Sequence, residues 1–148
     1  MKKYDLPELL LGVVSEQKYE QWLHRKALAH VRRDRKRGNT TATTEEYKLA
    51  MHKAVKDSNG VDAYTAERLE WTLLSKYRDE DSKKGRREYK HQFALLPSVD
   101  HVGDGTGPAD FRICAWRPND AKGDLPYQDF LDLCRRVLRT ADGRSEPA

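Results

Sequence analysis

Leu95-Leu96-Pro97-Ser98-Val99-Asp100-His101-Val102 and, after an apolar run from Phe111 to Trp116, Pro118-Asn119-Asp120-Ala121-Lys122-Gly123 are the stretches that decide the fold. Phe93 to Val102 reads as a strand, and Gly103-Asp104-Gly105-Thr106-Gly107-Pro108 is too rich in Gly and Pro to be anything but a loop. Phe111 to Trp116 reads as a second strand, and Pro118 suits the first turn of a brief helix. Asp124 stands where an N-cap is expected for a last helix, whose apolar positions Tyr127, Phe130, Leu131, Cys134, Val137 and Leu138 share one face. The C-terminal part is thus strand, loop, strand, turn, helix. Asp100-His101 closes the first strand and Asn119 opens the helical part.

Upstream the pattern is helical. Asp5 to Leu11 forms a short turn ended by Gly12, and a longer helix starts from Ser15, with Tyr19, Trp22, Leu23, Lys26 or Ala27, and His30 at helical spacing and Gly38-Asn39 as its stop. Its first half has an apolar face to pack, whereas the second half is mostly Arg and Lys and is expected to run along a surface. Thr43 and Glu46 have capping-box spacing, and Tyr47, Ala50, Met51, Ala54 and Val55 then form an ordinary core stripe that ends at Ser58-Asn59-Gly60. Leu69, Trp71 and Leu73 alternate with polar residues, which favours a short strand, with a helical reading still open. Asp79 to Arg87 reads as an exposed loop. The expected organisation is a helical N-terminal region over 1–60, an α+β unit over 61–140 and a flexible tail over 141–148.

The 148 residues are 35% charged and 37% hydrophobic, with a mean hydropathy of −0.94, enough for one modest core beneath a large solvated surface. No apolar run reaches bilayer-spanning length and no signal-type leader is recognisable, so the expected compartment is the cytoplasm, with no membrane partner. Cys114 and Cys134 lack a CxxC partner, which argues against a structural zinc and leaves two buried free thiols. Trp22, Trp71 and Trp116 read as core or semi-buried. His24, His30, His52 and His91 read as surface or packing residues.

A net charge of +4 is a weak sign of a polyanionic partner. The distribution says more. Positive charge concentrates between His24 and Arg37, with Asp34 the lone acid. A solvated face is the ordinary explanation of such a run. Its nearly single sign favours phosphate contact, with Arg25, Lys26, Arg32, Arg33, Arg35, Lys36 and Arg37, together with Arg117, as candidates of which only a subset can face one groove.

Asp100 and Asn119 offer a carboxylate and an amide carbonyl, hard oxygen ligands that select Mg²⁺ or Mn²⁺ over zinc. On an extended strand His101 leaves on the side opposite Asp100, where a neutral imidazole can take a proton from water at physiological pH.

Val99-Asp100-His101-Val102, the Gly-rich loop, Asp110-Phe111-Arg112-Ile113-Cys114 and Asn119-Asp120-Ala121-Lys122-Gly123-Asp124-Leu125 resemble the HNH, or ββα-metal, endonucleases. The version is the zinc-free Asp-His…Asn one found in phage junction-resolving enzymes and RNA-guided nucleases. The resemblance implies a ββα-metal core with N-terminal helices packed around it and a phosphodiester hydrolase acting on DNA, by expectation double-stranded. It further implies Asp100 and Asn119 as metal ligands for Mg (or Mn), His101 as general base and Lys122 beside a phosphate. Asp62 to Leu69 is similar to the family's first hairpin, with Ala66 where relatives place Gly. Asp110 stands where the family has an Asn that braces the loop after the His, and a carboxylate cannot donate as an amide does. That departure leaves a catalytically impaired nucleic-acid-binding protein as an alternative. A nuclease toxin domain, which would need an immunity protein, is a further one. One site per chain gives one nick per encounter, so a double-strand break would call for a homodimer or sequential nicking.

Overall fold

The computed structural model describes residues 4–76 and 91–145. Helix α1 (Glu16–Lys36) starts where Ser15 accepts the Lys18 N–H at 3.1 Å. It ends in a Schellman motif: Gly38, at φ +106°, gives its N–H to Arg35, and Asn39 gives its own to Asp34. Helix α2 (Thr44–Asp57) opens on the Thr43 cap, whose hydroxyl accepts the Glu46 N–H at 3.2 Å. Before α1, Glu8–Leu10 forms a single 3-10 turn.

Tyr19, Trp22 and Leu23 of α1 and Tyr47, Met51 and Val55 of α2 interlock as a core that takes in Val99, Phe111 and Ile113 of the sheet. Burying such side chains stabilises by roughly 1.5–3 kcal/mol each before entropy is counted. Trp22 meets Trp71 edge to face at 5.0 Å, which fixes the segment after α2 against α1. The second half of α1 does not simply run along a surface: His30, Val31 and Asp34 are buried. The run of Arg and Lys occupies the other faces of the same turns.

Strands β1 (Pro97–His101) and β2 (Phe111–Ala115) pair antiparallel from Pro97 opposite Ala115 to His101 opposite Phe111, so Asp100 faces Arg112 across the ladder. β1 is shorter than the expected Phe93 to Val102. Residues 93–96 turn instead, because Pro97 has no N–H for a ladder and the carbonyls of Ala94 and Leu96 accept the N–H groups of Arg117 and Trp116. Those bonds start helix α3 (Trp116–Lys122), which has no side-chain cap of its own. The other edge of β2 is covered by the 61–69 turn. Ala63 N–H reaches the Ile113 carbonyl and the buried Asp62 carboxylate accepts from Ala115 N–H at 2.8 Å.

The strand expected around Leu69, Trp71 and Leu73 is a 3-10 helix, Trp71–Ser75. The alternation is real, since all three residues are buried. No described strand lies alongside to complete a ladder, and the apolar side chains pack into separate clusters, Trp71 on Trp22 and Leu73 on Phe93 and Leu96. The expected loop from Asp79 to Arg87 lies outside the described residues.

Helix α4 (Tyr127–Ser145) starts two residues later than a cap at Asp124 would place it. Leu125 bonds back to Lys122, and it is the Pro126 carbonyl that accepts the first helical N–H, from Phe130. The stretch expected as a tail from Ala141 continues the helix to Ser145. Its apolar stripe is less covered than the pattern suggested: Leu133, Val137 and Leu138 are exposed and Cys134 is half-buried, whereas Cys114 is fully buried. With four helices and one small antiparallel sheet among the described residues, the architecture is α+β. Among those residues no helix is long and apolar enough to cross a membrane.

Candidate functional site

The last turns of α1 cross the end of the sheet where β1 runs out, and the space between them is a cleft of about 1240 Å³. Pleating places Ser98 and Asp100 on one face of β1 and His101 on the other, so the two adjacent residues enter different surroundings. All of Asp100, His101, Asn119 and Lys122 line the cleft.

On the Asp100 face, α3 projects Asn119 and Lys122 one turn apart toward β1. Asn119 donates through Nδ2 to Ser98 Oγ at 3.4 Å, which leaves Oδ1 as its acceptor atom. Lys122 Nζ lies 3.0 Å from Asp100 Oδ2, with both groups largely buried. Asp100 Oδ2 also accepts the Tyr64 hydroxyl, and Oδ1 accepts its neighbour's N–H, from His101, at 2.9 Å. Burial, and then the bond to the Asp100 carboxylate, raise the Tyr64 hydroxyl above the ordinary phenol range. The ring of Tyr64 and that of Tyr127 hold the Arg112 guanidinium, at 5.5 and 4.9 Å from their centres.

On the other face His101 enters a pocket made by helices. Its Nε2 lies 3.0 and 2.9 Å from the two carboxylate oxygens of Asp34, a side chain only 1% exposed. The Tyr47 hydroxyl donates to Asp34 Oδ2 at 2.5 Å, so Tyr47 does more than fill the core. Burial, then the Asp34 bond, push that hydroxyl up. Phe111 lies under the His101 ring at 4.9 Å and His30 meets it edge on at 4.9 Å. Burial first, and then the positive charge of Arg33 among others, push His30 down to about 3.

The loop after His101 is braced from the turn that follows α1. Asn39, buried itself, donates from Nδ2 to the Gly105 carbonyl at 2.8 Å, while its Oδ1 accepts from Thr41 and Ala42. Gly105 also abuts Asp34 so closely that a Cβ there would sit 2.8 Å from Oδ1. Asp110, expected to brace this loop, is exposed and lies outside the cleft, and it meets the loop through its backbone carbonyl, which accepts the Val102 N–H at 2.9 Å. The amide that braces the loop comes from a different element.

Of the basic candidates, Lys26, Arg33 and Arg37 line the cleft at spacings that keep them on one face of α1. Arg25, Arg32 and Lys36 are exposed on a neighbouring face outside it, and Arg117 is exposed on α3, also outside it. Arg35 is engaged, with Nε and Nη2 both donating to the Ala42 carbonyl at 3.0 and 2.8 Å. Asp34 and Arg112 are cleft residues with no role expected from the sequence, while His30 is expected from it only to pack and Asn39 only to stop α1. One signal was visible, a single carboxylate placed in an otherwise cationic helical run with a histidine one turn before it.

Among the described residues no group of three or more His, Cys, Asp or Glu side chains is arranged to hold a metal ion. On the β1–α3 side of the cleft, the Asp100 carboxylate and the Asn119 carbonyl are oxygen atoms that could hold a hard cation. A carboxylate has about four lone-pair sites, so Asp100 can take a cation beside its present partners. A magnesium ion, which keeps several waters, suits such a sparse set. No family model, no curated protein and no solved structure matches the chain.

Proposed function

We propose that the chain is a metal-dependent endonuclease of the HNH, ββα-metal type that hydrolyses DNA phosphodiester bonds. One observation supports it above the others: Asn119 and Lys122, presented by α3, meet the Ser98–Asp100 face of β1 in the same cleft that His101 enters from the opposite face. A carboxylate, an amide oxygen and an imidazole from three positions in the chain thereby surround one space.

In this reading Asp100 and Asn119 hold the cation. A bound Mg²⁺ or Mn²⁺ there would stabilise charge on the phosphate and on the departing 3′ oxygen. His101 accepts a proton from the attacking water, Lys122 and Arg112 steady phosphate oxygens, and Lys26, Arg33 and Arg37 track the backbone along the cleft wall. The products are a 5′-phosphate and a 3′-hydroxyl. Lys122 is presently paired with Asp100, so its release to a phosphate accompanies loading of the carboxylate.

That same pair favours a second reading. An ammonium group that already neutralises Asp100 suits a nucleic-acid-binding protein of this fold that needs no metal.

Plasmid incubated with the protein in Mg²⁺, Mn²⁺ or EDTA separates the two. The nuclease reading expects metal-dependent nicking that His101→Ala and Asn119→Ala abolish while both variants still bind DNA. DNA binding without nicking by the wild type in either metal would leave the binding-protein reading.

A further inference from the structure

Two acceptors meet His101, one of them set by a third that lies behind it, and followed in order they determine which of its nitrogens carries the proton. The order begins on β1. The Val99 carbonyl lies 3.2 Å from His30 Nε2, and because a carbonyl only accepts, His30 Nε2 must hold a hydrogen. Burial keeps His30 neutral, so its other nitrogen, Nδ1, presents a lone pair. That nitrogen lies 3.4 Å from His101 Nε2. The two carboxylate oxygens of Asp34, one of them already accepting from Tyr47, lie closer still to the same atom, at 2.9 to 3.0 Å. A proton on His101 Nε2 satisfies both neighbours, whereas a lone pair there would face two others.

The carboxylate is built to stay. Asp34 is 1% exposed, Tyr47 donates to one of its oxygens, and the backbone of Gly105 closes over it with no room for a Cβ. A buried carboxylate without donors would be costly, and Tyr47 and His101 are the side-chain donors it has among the described residues.

We propose that Asp34, seconded by His30, is a positioning residue that locks His101 in the Nε2–H tautomer and so leaves Nδ1 as the nitrogen with the reactive lone pair. Neither residue touches a substrate in this role. Helix α1 thus supplies both the cationic wall of the cleft and the group that sets the imidazole. The catalytic consequence rests on the nuclease reading; the tautomer itself does not.

Nitrogen-15 NMR of the histidine rings tests it on the whole chain in EDTA, without DNA, in buffer alkaline enough that free imidazole is neutral. The wild type should show His101 protonated on Nε2. Asp34→Ala should release the ring into a mixture of tautomers. Asp34→Asn should do so partly, because an amide can also donate, while Tyr47→Phe, which removes the other Asp34 contact, should leave the tautomer as it is. In cleavage assays, the two Asp34 variants should lose roughly 10²–10⁴-fold in kcat with KM little changed.

A wild-type proton on Nδ1 overturns the proposal and needs no variant to fold. So does an unchanged tautomer in a folded Asp34→Ala. An Nε2–H tautomer in a protein that cuts no DNA leaves the lock standing and removes only the nuclease reading.

Discussion

At Gly105 the main chain itself is part of the surroundings of a side chain on another element. Its φ of +83° and a would-be Cβ at 2.8 Å from Asp34 make two separate demands for glycine, and the neighbouring glycines allow them to be told apart. Gly103 has φ +95° with open space around it, and Gly107 has open space and no such backbone demand. Gly107→Ala should therefore change stability by less than about 0.5 kcal/mol. Gly103→Ala should lose about 1–2 kcal/mol to backbone strain, and Gly105→Ala more than that by an overpacking cost of about 1–3 kcal/mol. Urea unfolding of the three variants measures the series, and equal losses at Gly103 and Gly105 would mean that Asp34 yields. His30 makes a prediction in pH. The unfolded chain takes up a proton near pH 6.5 that the folded chain, with His30 pushed down to about 3, does not accept. This residue's contribution is complete above 6.5 and is lost as pH falls toward 3, on the order of 5 kcal/mol over the whole interval. His30→Gln should flatten the dependence of unfolding free energy on pH in that window by about one proton.

Elements bounded by local chemistry were legible in the sequence, and those bounded by distant partners were not. Ser15, Thr43 and the Gly38-Asn39 stop act within a few residues of themselves, and α1 begins and ends, and α2 begins, where these residues place them. The 3-10 helix at Trp71–Ser75 was hidden because three buried side chains in alternation look the same whether they face one sheet or two clusters. At the site the same division holds. Asp100, His101, Asn119 and Lys122 lie close together in the chain and were readable as a set, but Asp34 meets His101 from 67 residues away and Asn39 meets Gly105 from 66. Charge alone could not show that one acid of a basic helix faces inward. The covering turn of β2 shows both kinds of information. Asp62 ties it by accepting the Thr65 N–H and hydroxyl, both at 2.7 Å, and this closes the chain so tightly that Ala66 is held at φ +63°. Ala66→Gly should relieve that strain and stabilise the protein by about 0.5–1 kcal/mol, seen as a raised melting temperature with unchanged spectra; a lowered one would mean that the alanine methyl is needed for packing.

For the molecule as a whole, charge placement matters more than its net value. The cleft is lined by Lys26, Arg33, Arg37 and Arg112, but Asp100, Asp104, Asp120 and Asp124 line it too, so its attraction for a polyanion depends on which face of α1 the strand follows. If DNA enters the cleft, Arg33→Ala with Arg37→Ala should lower the slope of log affinity against log salt by up to about 0.9 per lost contact. Arg25→Ala with Arg32→Ala, on the exposed face, should lower it less. Equal losses would place the backbone along the outside of the helix instead. The Asp34–His101 and Asn39–Gly105 contacts also bear on how fast the molecule comes together and apart. Each closes a loop of more than sixty residues, an entropic cost met before any local reward. Such contacts belong to the late side of the folding barrier, where loosening them accelerates unfolding and leaves refolding nearly untouched. In a chevron plot, Asp34→Asn should accordingly shift the unfolding limb alone. The pocket around His101 is then expected among the last parts of the protein to be assembled and, on the way out, among the first to be lost.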